Sequence, residues 1–146
     1  MGGVRICPNR NRRTKACIRL DLNDGISIYS DQWEMVLIQQ LRIYEIFEKN
    51  KAAFHIRFRD HAARIMRTRY GFQIIAMWET RFGDRTEFVY LLEWPDEATR
   101  SAAWSAFMAD AEWTEIKKVT GAADGRMVGA IEDRTLVLTA YSPPFS

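Results

Sequence analysis

From Val36 onward the chain alternates between two hydrophobic periods. Residues 36–46 are rich in β-branched, aromatic and aliphatic side chains. Ile38, Gln40, Arg42, Tyr44 and Ile46 fall on one face and Leu37, Leu41 and Ile43 on the other. That period of two predicts a strand with one oily and one mixed face. After Asn50, Phe54, Phe58, His61 and Ile65 recur at spacings of four, three and four, which predicts one helical stripe capped at Asn50 and closed by Gly71. Residues 72–80 and 87–94 read as two strands of a hairpin joined through Gly83-Asp84. Pro95 ends the second of them, and Asp96 caps a helix whose close-packing side is expected to be Ala98, Ala102, Ala103, Ala106 and Phe107. Asp110 is placed to cap a further short helix that stops at Gly121. Residues 134–141 read as the last strand, closed by Pro143-Pro144.

The resulting order is βαββαβ, which predicts an α+β, ferredoxin-like fold: a four-stranded antiparallel sheet with the helices on one face. The other face lacks a cover of its own, and Ile38, Tyr44, Trp78 and Trp94 are the residues expected there. Such a patch in water favours a homodimer in which two sheets meet face to face.

Composition adds a boundary. The chain has 146 residues, of which 47% are hydrophobic, enough for one core without metal or disulfide support. The net charge of +2 is uneven: residues 1–34 hold six Lys and Arg and four Asp and Glu, which leaves fifteen of each sign in the remainder. Residues 35–146 are therefore read as one neutral domain and 1–34 as a basic extension, in which residues 1–19 show neither helical nor strand periodicity. Three readings of the extension stay open. It is a disordered tail with a weak surface-binding role, a transit peptide that Pro8, Asn9, Asn11 and four nearby acids argue against, or a misassigned start upstream of Met35. A neutral body gives no phosphate-tracking surface, so no nucleic-acid partner is expected. No apolar run approaches the ~18 residues of a membrane span, so the expectation is a soluble, cytoplasmic protein, mitochondrial only if 1–34 is a transit peptide. Both cysteines, Cys7 and Cys17, lie in the extension with no histidine nearby, so no metal site is expected.

Few residues in the body suggest chemistry. His61, on the apolar stripe of the first helix, is the candidate catalytic residue, because burial and a neighbour tune an imidazole for acid-base work; the plainer reading is a core histidine satisfying one hydrogen bond. His55 lies off the stripe and is read as solvated. Arg42 and Tyr44 share the mixed face of the first strand, where they would hold an anionic group and donate a hydrogen bond, unless Arg42 pairs with Glu79 or Glu93. Trp78 and Trp94 would line an aromatic pocket or fill a dimer interface. Arg57, Arg59, Arg64, Arg67 and Arg69 are interrupted by Asp60 and read as a solvated face. A Gly-rich phosphate loop, G-x-S-x-G and HExxH are all missing.

The order of Leu41-Arg42-Ile43-Tyr44, Tyr70-Gly71-Phe72, Trp78, Leu92-Glu93-Trp94, Asp110-Ala111-Glu112-Trp113 and Tyr141-Ser142-Pro143 resembles the NIPSNAP family from about residue 38 to 145. The resemblance implies a dimeric α+β barrel, the fold also used by antibiotic-biosynthesis-type monooxygenases and haem-degrading enzymes. The family lacks an established reaction, and its eukaryotic members are associated with mitochondria and vesicle traffic as interaction proteins. The expected function is binding of a small apolar or anionic molecule in a cavity around Arg42, Tyr44, His61, Trp78 and Trp94, in the manner of cofactor-independent monooxygenases and with no cofactor. The alternative is a non-catalytic dimeric interaction module, and a third reading is haem bound through His61.

Overall fold

The computed structural model describes residues 4–6, 17–21, 25–29 and 37–143. The chain divides into two compact units, Met1–Met35 and Val36–Ser146. In the first, strands β1 (Val4–Ile6), β2 (Cys17–Asp21) and β3 (Gly25–Tyr29) form an antiparallel sheet in that order. Strands were not predicted there. Val-Arg-Ile, Cys-Ile-Arg-Leu and Ile-Ser-Ile-Tyr do alternate, but over windows too short to separate from noise. The expectations for Cys7 and the rest of this unit lie outside the described residues.

The second unit is built from β4 (Ile38–Ile46), helix α1 (Lys51–Arg57), a π-turn (Phe58–Ala62), helix α2 (Ala63–Arg69), β5 (Gln73–Phe82), β6 (Arg85–Trp94), α3 (Glu97–Met108), α4 (Ala111–Asp124) and β7 (Val128–Val137). The sheet order is β5-β6-β4-β7, antiparallel throughout. This is the ferredoxin-like arrangement read from the sequence. Gly83 (φ +60°) supplies the left-handed residue of the two-residue β5–β6 turn, where a Cβ would be strained.

Four expectations need correction. The last strand begins six residues earlier than residue 134, because Val128 to Asp133 pair with β4 across from Ile46 to Arg42; pairing, rather than hydrophobicity, makes this edge strand. Helix α4 runs through Gly121 and ends at Gly125 (φ +79°), which is the position that needs a left-handed residue. In α3, Ala103 and Phe107 are buried, whereas Ala98, Ala102 and Ala106 are exposed. Finally, Ile38, Tyr44 and Trp94 do not lie on the sheet face away from the helices. Ile38 and Tyr44 pack against the buried core and Trp94 is within it, so the mixed face of β4 is the one the helices cover. The opposite face carries Leu41, Ile43, Val89, Leu91, Trp78 and Leu136 by register, and Trp78 is 50% exposed there.

The core is aromatic. Phe54, Phe58, Phe88 and Tyr90 form one set of edge-on and stacked rings, and Phe72, Trp94, Trp104, Phe107 and Trp113 a second. The π-turn determines which helical residues join it. One extra residue per turn rotates the register after Phe58, so Ala62, Ala63, Ile65 and Met66 point inward and His61 moves to the boundary.

Asp110 ties the α3–α4 corner to the end of α2. One carboxylate oxygen accepts from the Trp113 amide (2.8 Å), and the other accepts from Tyr70 Oη (2.7 Å) and Arg69 Nη1 (2.8 Å). The Tyr70 hydroxyl, then the Trp113 amide and Arg69, hold its pKa down from 3.8 to about 2. A depressed carboxyl contributes stability above its unfolded pKa and loses it as pH falls through the folded value. The expected result is a melting temperature that drops between about pH 4 and pH 2. Asp110→Asn should melt lower near neutral pH and show a shallower drop across that window, measured by thermal unfolding at a series of pH values.

Candidate functional site

A cavity of about 650 Å³ lies between the helices and the β4–β7 side of the sheet. The period-two face of β4 and its partner strand supply the floor: Arg42, Tyr44, Val128, Ile131 and Asp133. One wall comes from α1, the π-turn and α2, through Phe54, Arg57, Phe58, Ala62 and Met66. The other comes from α3 through Trp104 and Phe107 and from α4 through Trp113 and Lys117. Ser101 and Ser105, one helical turn apart on α3, line the cavity and are exposed, and so mark its mouth.

The floor is a polar network in which Arg42 Nε is buried without a hydrogen-bond partner among the described residues. Arg42 Nη1 donates to Asp133 Oδ2 at 2.6 Å, and Nη2 to Tyr44 Oη at 3.3 Å. The Tyr44 and Tyr90 hydroxyls are 2.7 Å apart. The Arg42 guanidinium also lies 4.5 Å from the Trp104 ring centroid, a cation–π contact. Burial opposes the Arg42 charge, but Tyr44, Tyr90 and Asp133 outweigh it and raise the pKa. Burial, reinforced by Tyr44, pushes the Tyr90 hydroxyl well above its ordinary range. Gln40, fully buried, accepts from both the Trp94 and Trp104 indoles at 2.9 and 2.8 Å and donates to Asp133 at 2.8 Å. Arg100 reaches the same Asp133 at 3.5 Å and Glu97 at 3.2 Å. Every cation at this end faces a carboxylate.

The opposite end differs. Arg57 and Lys117 lie 5.8 and 5.6 Å from the Trp113 ring centroid, and neither forms an ion pair within 4 Å among the described residues. The structure brings Arg42 and Tyr44 into the cavity lining. It places Trp94 beneath that lining as a donor to Gln40, Trp78 on the other sheet face, and His61 half-buried on the π-turn and away from the lining. His55 Nε2 is 2.9 Å from Glu79 at the surface. Arg42 pairs with Asp133, not with Glu79 or Glu93.

Asp133, Arg100, Trp104, Arg57 and Lys117 were not singled out from the sequence. Asp133 fell just before the segment read as the last strand. Arg57 was grouped with arginines that do meet acids at the surface: Arg59 with Asp60, Arg64 with Glu112, and Arg69 with Asp110 and Glu112. A usable signal existed in Arg57, three residues after Phe54, and Lys117, four after Trp113, since both fall on apolar helical stripes.

The fold and its one-sided helical layer define a ferredoxin-like α+β protein with a cavity between its layers. The NIPSNAP family model matches residues 39–143, and the chain belongs to that family. Among solved structures, it is similar to a NIPSNAP-like domain protein from Burkholderia xenovorans, with 20% identity, 77% of this chain and 93% of that one covered, and a TM-score of 0.63. It is also similar to two NIPSNAP family proteins from Agrobacterium tumefaciens C58. One, of unknown function, is 16% identical, with 73% and 92% covered and a TM-score of 0.61. The other is 19% identical, with 73% and 97% covered and a TM-score of 0.62. No curated protein matches the chain. Among the described residues, no helix is long and apolar enough to cross a membrane.

Proposed function

We propose that the protein binds a small, largely apolar molecule in the cavity between its helices and its sheet. The observation that carries this reading is the cavity itself. Its volume of about 650 Å³ lies inside the ~300–1,000 Å³ range of ligand sites, and its aromatic walls with a few converging polar groups have their usual character. Arg42 and Tyr44 form the rigid polar floor against which a ligand would be oriented. The reading is one of binding. The lining holds no histidine to act as a base, and its carboxylates, Glu97 and Asp133, are both engaged by arginines, so we assign no oxygenation step.

The test uses phenylnaphthylamine, a neutral dye that fluoresces in apolar surroundings. Saturable binding is expected, and Ser105→Trp, which places an indole in the mouth at an exposed position, should weaken it roughly tenfold or more, about 1.4 kcal/mol. The melting temperature should stay near that of the wild type, as for other exposed substitutions. Unchanged binding by this variant would remove the cavity reading.

The homodimer expected from the sequence belongs to the same proposal. Its support is the sheet face carrying Trp78, Leu41, Ile43 and Leu136, in place of the set named from the sequence. Sedimentation should show a species of twice the 17.0 kDa chain mass, and monomer alone at micromolar concentration would end it.

A further inference from the structure

We propose that the corner formed by Arg57, Lys117 and Trp113 holds the anionic end of the ligand, so that the molecule bound is an aromatic or aliphatic acid rather than a neutral apolar compound. This inference rests on the cavity reading above and adds the chemical class and orientation of the ligand.

The cavity has a cationic group at each end, and among the described residues only one end holds its cations in ion pairs. Arg42 and Arg100 share Asp133, with Glu97 beside Arg100. Arg57 and Lys117 have no carboxylate within 4 Å among the described residues. The two are brought together by helix geometry. Trp113, Lys117 and Thr120 follow at spacings of four and three on α4, one face of that helix. Arg57 on α1 reaches across to it, donating from Nη1 to Thr120 Oγ1 at 3.2 Å.

A guanidinium has five donors in a fixed fork, and the others on Arg57 have no partner among the described residues. Both cations lie within 6 Å of the centroid of one indole ring, the face of which attracts positive charge. Burial lowers the Arg57 pKa, and Asp124 restores only part of that loss. Arg57 is thus a partly desolvated cation whose counter-charge, Asp124, makes no ion pair with it within 4 Å, which is an unfavourable arrangement. A carboxylate or sulfonate at this corner would supply a counter-charge and accept charge-assisted hydrogen bonds from both.

Between the two ends stands a row of rings. Trp104, Phe107 and Trp113 follow one another at centroid distances of 6.0 and 5.3 Å. A ligand with its acid at Arg57 and Lys117 would lay its apolar body along this row toward Arg42. The paired Arg42 end would meet a neutral polar group.

Two dyes of the same shape separate the readings: anilinonaphthalene sulfonate and neutral phenylnaphthylamine. The sulfonate is expected to bind roughly tenfold tighter than the neutral dye, and that preference should shrink as salt screens the contact. Lys117→Gln and Arg57→Gln should each reduce the preference, and together abolish it. Lys117→Gln alone decides the matter if the half-buried Arg57 variants prove unstable. Equal binding of the two dyes, or a preference that survives Lys117→Gln, would overturn the anionic subsite and leave the cavity reading standing. Failure of both dyes, or indifference of both to Ser105→Trp, would overturn the cavity reading and the subsite with it.

Discussion

Gln40→Leu is expected to destabilise the protein by roughly 2–5 kcal/mol, although it replaces one residue by another of similar size. The reason is the position of the amide. Gln40 is fully buried, and its oxygen accepts from two indoles, Trp94 Nε1 at 2.9 Å and Trp104 Nε1 at 2.8 Å. Its nitrogen donates to Asp133 at 2.8 Å. Leucine offers none of these. Trp94, 1% exposed, would keep its N–H with no water to turn to, and each stranded buried donor costs roughly 1–3 kcal/mol. Trp104 is only half-buried and would recover part of its loss. Asp133 would retain Arg42.

Urea unfolding followed by tryptophan fluorescence measures the change, with the midpoint moving and the slope held. A double variant makes the result specific. Trp94→Phe removes one of the stranded donors, so adding it to Gln40→Leu should cost less than the sum of the two single changes. A loss under about 1 kcal/mol for Gln40→Leu, or strict additivity with Trp94→Phe, would show that the Gln40 network does not stabilise the core.

Phe58→Ala is the second large effect, expected at roughly 3–5 kcal/mol and toward the lower end of that range. Phe58 is 6% exposed and touches Phe54, Phe88 and Tyr90 at ring-centroid distances of 5.9, 4.7 and 5.2 Å. Removing the ring forfeits those contacts. One side of Phe58 already borders the cavity, so fewer partner atoms are lost than from a fully packed site, which sets the lower estimate. The void left by the ring would join the cavity. A dye with one more fused ring than phenylnaphthylamine should therefore gain affinity relative to the smaller one. Denaturant unfolding checks the first expectation, and a comparison of the two dyes checks the second. Loss of stability without that shift in preference would mean that the site collapses around the deletion.

Much of the fold was legible in the sequence because each element is marked locally. The apolar stripe of α1, Asp96 and Asp110 at their helix starts, Gly71 and Gly83 at turns, and the alternation in β4 each needs only a few neighbours to act. Both aspartates do accept from the amide three residues on, and both glycines have positive φ. The failures came where a distant partner decides. Residues 128–133 become strand by pairing with β4. The inner face of β4 could not be chosen by period alone, since alternation fixes which residues share a face but not which face the helices cover. The stripe around His61 was broken by the π-turn, whose extra residue leaves no mark in the hydrophobic pattern.

The candidate site divides the same way. Arg42 and Tyr44 were visible as polar residues on a strand face otherwise suited to burial. Arg57 and Lys117 were not, because only the fold shows that, among the described residues, neither forms an ion pair within 4 Å. A cation in a sequence is balanced or unbalanced only once the chain folds and its carboxylates find positions. In residues 36–146 the sequence determined the βαββαβ topology and the Asp96 and Asp110 caps, the latter set by contacts a few residues long, whereas the expected Asn50 cap makes no side-chain cap hydrogen bond. Tertiary structure alone decided the neutral and charged ends of the cavity, because Coulomb interactions and burial depend on distances between residues far apart in the chain.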